Sequence, residues 1–158
     1  MTEWQPGGES GKSYERRLAE GFYDRWLGGE VILDVGFGGS RVLPRAIGID
    51  LGYPGGYDGI QLPFADETIE AVYSSHMLEH TPDPAPVIRD WHRVLKVGGF
   101  IVCIVPHQFL YEKRRYLPSR FDPDHRRFYT PARGRGRTGP EQLPGAAPSG
   151  TLLTLRTH

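Results

Sequence analysis

Two aspartates follow short apolar runs, and the residues around them indicate which ligand they could bind. Asp34 lies in the run VILDV, and Gly36 and Gly38 follow it. Glycines in such a turn let the backbone approach a ligand closely. Asp50 ends a second apolar run, where a carboxylate can accept hydrogen bonds from ribose hydroxyls. This spacing predicts a nucleotide-type ligand at the two turns.

The chemistry of the first turn narrows the choice of ligand. A dinucleotide-binding turn has the pattern GxGxxG, and Arg41 occupies the third glycine position here. The Asp34 carboxylate would repel a pyrophosphate but suits a ligand that carries an ammonium group. Both residues disfavour an NAD-dependent oxidoreductase and favour S-adenosylmethionine, whose methionyl end is cationic. Taken alone, the motif also fits an ordinary glycine-rich turn after a strand.

The elements that position these turns alternate between strand and helix patterns. Strands are predicted over residues 31–35, 45–51, 69–75 and 100–106, and helices over residues 14–26 and 84–96. Continuous apolar strands separated by helical patterns indicate an α/β fold with a mostly parallel, doubly wound sheet. Ligands of such sheets bind beyond the carboxyl ends of the strands. The ligand-binding residues should therefore lie directly after the predicted strands.

Further motifs along the chain make the prediction more specific. DGIQLPFAD spans residues 58–66, LEH spans residues 78–80, and WHRVLKVGGFIVCIVPH spans residues 91–107. Together with DVGFG, these motifs resemble the methyltransferase type 11 branch of the class I S-adenosylmethionine-dependent methyltransferases. The resemblance covers roughly the first 110 residues. It implies a Rossmann-like fold, S-adenosyl-L-methionine as cofactor, and methyl transfer to an acceptor that we expect to be a small molecule.

The resemblance also implies which residues bind the cofactor. They are Asp34, Gly36, Gly38, Asp50, Leu51, Asp58 and Ser75. The first three would line the methionyl and ribose end, and Ser75 would touch the methionyl part. Asp50 would bind the ribose, while Leu51 would pack on the adenine and Asp58 would hydrogen-bond its amino group. Ser40 departs from the family pattern, which often has a third glycine there.

Histidines are the candidate catalytic residues because three of them follow predicted strand ends. A general base is needed only if the methyl acceptor must lose a proton. His80 belongs to the LEH motif and is expected to be structural, like most single histidines in this position. His107 is the candidate pocket residue, and His76 is a further one. No zinc-type spacing of Cys and His is present, so no metal site is predicted.

Bulk composition bears on location and partners. Nineteen Lys and Arg balance 19 Asp and Glu, so no strong attraction to nucleic acid or to an anionic membrane is expected. The polar N-terminus has no signal-peptide core, and no apolar segment approaches the roughly 20 residues of a membrane span. We expect a soluble cytoplasmic protein with a buried Cys103. Residues 107–131 are interpreted as a substrate-covering loop rather than a nucleic-acid site, and oligomeric state is left open.

The domain prediction is a flexible N-terminus over residues 1–12, an incomplete methyltransferase domain over 13–131, and a disordered tail over 132–158. The tail is rich in Arg, Gly and Pro and has no periodicity. A reading frame shifted by one nucleotide could encode a helix and an alternating strand there. We therefore hypothesise that the tail is out of frame and that the C-terminal strands are absent. The alternative function is a truncated, noncatalytic cofactor-binding domain.

Overall fold

A computed structural model of the chain describes residues 4–130 and, as backbone only, residues 150–156. The helices are α1 (Gly8–Gly11), α2 (Tyr14–Ala19), α3 (Phe22–Trp26) and α4 (Pro84–Val94), with a 3₁₀ helix at Leu78–His80. The strands are β1 (Ile32–Val35), β2 (Ile47–Ile49), β3 (Ile69–Ser75), β4 (Leu95–Pro106) and β5 (Gly150–Arg156).

The strands form one sheet in the order β2-β1-β3-β4-β5. The first four are parallel, whereas β5 pairs with β4 antiparallel. In this register Asp34 of β1 lies between Gly48 of β2 and Tyr73 of β3. The predicted α/β fold with a mostly parallel sheet is confirmed. The carboxyl ends of β1, β2 and β3 therefore meet at one edge.

Helices cover both faces of the sheet, as the unbroken apolar strands predict. On one face, residues of α2 and α3, including Trp26, pack against Tyr73 of β3. On the other, Trp91 of α4 packs against Val72 of the same strand. Cys103 of β4 is buried as expected, and burial raises the pKa of its thiol. The alternating side chains of β3 thus join two core layers.

Helix α4 begins where its sequence signals place it. The Asp83 side chain accepts a 3.0 Å hydrogen bond from the amide of Ala85, and Pro84 occupies the first turn. Near the helix end, Arg93 donates to Asp90 at 2.8 Å and to the Leu62 carbonyl at 3.0 Å. These bonds fix the loop before β3 against α4. The helix ends two residues earlier than predicted because the chain enters β4 directly.

The N-terminal helical region differs from its prediction. The sequence predicts one helix over residues 14–26, but α2 and α3 are separated at Gly21, which has a φ of +67°. This left-handed conformation interrupts the helix and is easily adopted by glycine. The rotation leaves Leu18 46% exposed and buries Tyr23 in its place. The spacing of Tyr14, Leu18, Phe22 and Trp26 predicts one apolar helix face, and this prediction is wrong at Leu18.

Strand β5 corrects the prediction for the end of the chain. Residues 150–156 were expected to belong to a disordered tail, with no C-terminal strand in the sheet. Instead they pair with Phe100–Pro106 of β4 over seven residue pairs, so both expectations are wrong for this segment. The alternating sequence TLLTLR is a strand pattern that the Arg- and Gly-rich composition before it obscured. The remaining predicted tail, residues 132–149 and 157–158, lies outside the described residues.

The predicted flexible N-terminus also makes specific contacts. Gly8–Gly11 forms α1, and the Ser10 hydroxyl is hydrogen-bonded to the hydroxyl of Tyr73 at 2.9 Å. Pro6 is buried, and Trp4 packs against the apolar cluster on the α2–α3 face. This segment therefore packs on the sheet domain. Within the described part of the chain, none of the helices has the length and apolar composition that a membrane span requires.

Candidate functional site

The turn after β1 is fixed by hydrogen bonds to its neighbours. The Gly36 amide donates to the carbonyl of Ile49 at 2.8 Å, which ties the turn to β2. Asp34 is 3% exposed, and its Oδ2 accepts a 2.6 Å hydrogen bond from the amide of Val42. Burial raises the pKa of Asp34 to about 7, against the opposing effect of that hydrogen bond. A nearby cation would stabilise its ionised form.

The two predicted glycines have different environments. Gly36 has a φ of +77°, and a Cβ there would lie 2.6 Å from Cβ of Met77. Gly38 has a φ of +56°, but a Cβ there would meet no atom within 4 Å. Gly36 is thus required by packing as well as by backbone conformation. Gly38 instead leaves open space at the edge of the sheet.

Asp50 follows β2 and holds two backbone segments together. Its Oδ2 accepts a 3.0 Å hydrogen bond from the amide of Gly38, and its Oδ1 accepts a 3.4 Å hydrogen bond from the amide of Gly52. Each carboxylate oxygen has two lone pairs, so both retain acceptor capacity. Asp50 can therefore position the first turn and still accept hydrogen bonds from a ligand.

Two cavities lie at this edge. The larger cavity has a volume of about 360 Å³ and is lined by Gly36, Ile49, Asp50, Leu51, Tyr57, Asp58, Ile60, His76, Met77, His80, Thr81 and Pro82. The smaller cavity has a volume of about 190 Å³ and is lined by Gly7, Gly8, Glu9, Ser10, Asp34, Gly36, Phe37, Gly38, Ser40, Ser75 and His76. Because Gly36 and His76 line both, the two cavities adjoin. Each of the seven predicted cofactor residues lines at least one of them.

The three candidate histidines differ in whether they line the cavities. His107 lines neither cavity, and its Nδ1 accepts hydrogen bonds from the amides of Phe109 and Leu110 at 3.1 and 3.2 Å. This arrangement favours a structural role over the catalytic one considered from the sequence. His76 lies at the junction of the cavities instead, with a left-handed φ of +56° that is uncommon outside glycine.

The N-terminal segment supplies site residues that sequence reasoning missed. Glu9 and Ser10 line the smaller cavity because the Gly7 amide donates a 2.6 Å hydrogen bond to Oγ of Ser40. Ser40 is the position that departs from the family's third glycine, and here its hydroxyl holds this segment over the turn. No sequence pattern links residues 7–10 to residues 34–40, because their contact forms only when the chain folds.

Comparisons with known proteins find similarity to methyltransferases over part of the chain. Residues 56–103 match the type 11 family described as "Methyltransferase domain". The demethylmenaquinone methyltransferase of Alkalihalophilus pseudofirmus is 39% identical over 51 residues, which are 32% of this chain and 22% of that protein. The ubiquinone/menaquinone biosynthesis C-methyltransferase of Desulfotalea psychrophila is 45% identical over 47 residues, covering 30% and 19%.

The matched part of the chain thus spans about a fifth of the length of these curated relatives. A solved structure of an S-adenosylmethionine-dependent methyltransferase from Archaeoglobus fulgidus has a TM-score of 0.55 at 19% identity. The match covers 78% of this chain and 64% of the chain in that structure. That likeness shows the fold. The predicted resemblance is confirmed as a similarity: residues 56–103 match the type 11 methyltransferase family model, and the fold is that of the solved methyltransferase.

Proposed function

We propose that this chain binds S-adenosylmethionine across the two adjoining cavities and transfers its methyl group to a small-molecule acceptor. The observation that carries the proposal is the convergence of the seven predicted residues on these cavities, at the carboxyl ends of β1, β2 and β3. Ligand sites of open α/β sheets occur at this position. The larger cavity alone falls in the usual volume range of ligand pockets, roughly 300–1,000 Å³.

The larger cavity fits the adenosine end. Leu51 is 68% exposed and Tyr57 is 40% exposed, so each presents apolar surface that a planar ring would cover. The turn that carries Asp58 is fixed, because Oδ1 of this residue accepts a 2.8 Å hydrogen bond from the amide of Ile60. Asp58 can then accept a hydrogen bond from an exocyclic amino group. Asp50, at the same cavity, is suited to ribose hydroxyls.

The smaller cavity fits the cationic methionyl end. Asp34 lines it as a buried carboxylate, and Gly38 leaves room for the ligand backbone. When bound, S-adenosylmethionine supplies a methyl group on a sulfonium, which needs no further activation. The residues of this chain would then act by binding and orientation, which can supply much of the rate of an in-line displacement. His76, at the junction, would lie beside the reacting end.

The acceptor side is proposed to be formed by the segment after β4. The ring of Tyr111 in this segment lies 5.4 Å from that of His76, and Phe121 packs on Tyr111 at the same distance. The aromatic residues therefore extend from the junction outward. The names of the relatives refer to quinone methylation, but only about a fifth of each is matched. We therefore propose a small-molecule acceptor and include quinones as one class to be assayed.

The test measures binding and turnover separately. S-adenosylmethionine and NADH are titrated into the full chain by calorimetry, and methyl transfer is followed with a labelled cofactor over a panel of small acceptors. We expect saturable binding of S-adenosylmethionine, none of NADH, and turnover with at least one acceptor. Binding without turnover on the whole panel would support the noncatalytic alternative. NADH binding without S-adenosylmethionine binding would contradict both.

A further inference from the structure

A cluster of histidines and glutamates adjoins the larger cavity, and three of its five members are buried. Its members come from the segment after β3 and from the segment after β4: His76, Glu79, His80, Glu112 and His125. Glu79 and Glu112 are fully buried, and His125 is 6% exposed. Fully buried glutamates are rare unless they are paired or bind a metal. The burial of two carboxylates in this cluster therefore needs an explanation.

Glu79 has the least satisfied side chain of the cluster. Neither of its carboxylate oxygens has a hydrogen-bond partner among the residues that the structure describes. The contacts of Oε1 are with Nδ1 of His76 at 3.3 Å and with Nε2 of His125 at 3.8 Å. An ionised carboxylate without stronger contacts is costly to bury. Both carboxylate oxygens of Glu79 therefore retain the capacity to bind another group.

His125 is oriented by a second carboxylate. Its Nδ1 lies 2.5 Å from Oε1 of Glu112, and the Ser119 hydroxyl donates to the other oxygen of Glu112. This contact directs Nε2 of His125 toward Glu79. A carboxylate that accepts from one ring nitrogen and leaves the other toward an ion is the usual support of a metal-ligating histidine.

We propose that Glu79, His80 and His125 bind a divalent metal ion of the zinc class, with Glu112 orienting His125. One donor atom from each of the three residues lies within 4.8 Å of the others. Around a tetrahedral zinc ion such atoms are about 3.4 Å apart, so the side chains must contract by roughly an ångström. Two imidazoles and one carboxylate are ligands that zinc accepts in proteins. The ion would neutralise the two buried glutamates.

The position of the cluster shows how an ion could reach the site and which segments it would link. His80 is half-buried and also lines the larger cavity, so an ion can enter from there. Glu79 and His80 belong to the 3₁₀ helix after β3, whereas His125 lies in the segment after β4. A bound ion would therefore fasten the latter segment to the wall of the larger cavity. Stabilisation of the fold by the metal should follow.

The experiment uses the full chain, freed of metal with a chelator, and titrated with Co²⁺ and with Zn²⁺. We expect one equivalent of either ion to bind, the visible absorption of Co²⁺ with nitrogen and oxygen ligands, and a higher melting temperature. His80→Ala and His125→Ala should each weaken binding at least tenfold. Glu112→Gln should weaken it by about 10- to 100-fold, as expected for a supporting residue. The matched control is His92→Ala, because His92 is exposed on α4.

Three results would overturn the proposal. The first is the absence of saturable Co²⁺ and Zn²⁺ binding by the wild-type chain, which no folding defect of a variant can explain. The second is wild-type affinity in His80→Ala, since this half-buried residue can be replaced with little loss of packing. Circular dichroism of each metal-free variant identifies any that unfold. Equal weakening by His92→Ala would likewise contradict the proposed ligands.

Discussion

The amide of Gly38 donates a 3.0 Å hydrogen bond to Oδ2 of Asp50, and so joins the turn after β1 to the end of β2. Both residues were predicted to bind the cofactor, from two separate motifs. Their contact means that Asp50 also shapes the turn that would hold the methionyl end. Substitution of Asp50 should therefore affect both halves of the proposed site.

Asp50→Ala is expected to weaken S-adenosylmethionine binding by more than tenfold. The variant loses hydrogen bonds between a charged group and the ligand, each worth about 1.5–3 kcal/mol, and releases the Gly38 amide. Calorimetric titration gives the change in Kd. Asp24→Ala is the matched control, because Asp24 is exposed on α3. Equal affinities of the Asp50→Ala variant and the wild type would contradict the assignment.

The buried carboxylate of Asp34 predicts a pH dependence of stability. Its pKa is raised to about 7 in the folded chain, whereas an unfolded Asp ionises near 3.9. The folded state therefore binds more protons between about pH 4 and pH 7, and this contribution to the free energy of unfolding falls as pH rises through that window. Denaturant unfolding of Asp34→Asn should lack this decline, while Asp24→Asn should retain it.

The same group predicts how cofactor affinity changes with pH. A cationic ligand binds best to ionised Asp34, so affinity for S-adenosylmethionine should rise as pH increases toward about 7 and level off above it. The rise is at most about tenfold per pH unit for one proton. Calorimetry at several pH values measures it. Affinity in Asp34→Asn should be weaker and independent of pH over this range, and a parallel rise would exclude Asp34 as its cause.

Gly36 and Gly38 form a matched pair for a stability experiment. Both have positive φ, which costs a residue with Cβ about 1–2 kcal/mol. Only Gly36→Ala also places Cβ 2.6 Å from Cβ of Met77, which adds roughly 1–3 kcal/mol of overpacking. Gly36→Ala should therefore unfold at lower denaturant concentration than Gly38→Ala. Equal denaturation midpoints of the two variants would show that Met77 moves aside without a loss of stability.

The sequence predicted the strand edge of the site well because its signals are local. Asp34, Gly36 and Asp50 follow apolar runs directly, so strand assignment alone places them at the carboxyl edge. Contacts made by distant segments were missed: Ser10 reaches Tyr73 only after the N-terminal segment folds onto the sheet. The Glu79–His125 contact likewise joins residues with no diagnostic spacing. Local sequence patterns therefore predicted the residues at the ends of the strands but not those that distant segments bring to the site.

Strand β5 is expected to stabilise the sheet. Residues 150–156 pair with β4 along Phe100–Pro106, and their loss would leave the hydrogen-bonding groups of that strand unpaired at a sheet edge. Deletion of residues 150–158 should therefore lower the melting temperature by about 5 °C or more, which corresponds to roughly 2 kcal/mol for a domain of this size.

Deletion of residues 157–158 alone is the control for this experiment, since they follow β5 and its pairing stays intact. This shorter deletion should leave the melting temperature unchanged within a degree or so. Because the proposed cofactor cavities lie beside β1, β2 and β3, the longer deletion should reduce stability more than affinity for S-adenosylmethionine. An unchanged melting temperature after the longer deletion would show that β5 contributes nothing to the stability of the sheet, as the predicted disordered tail implies.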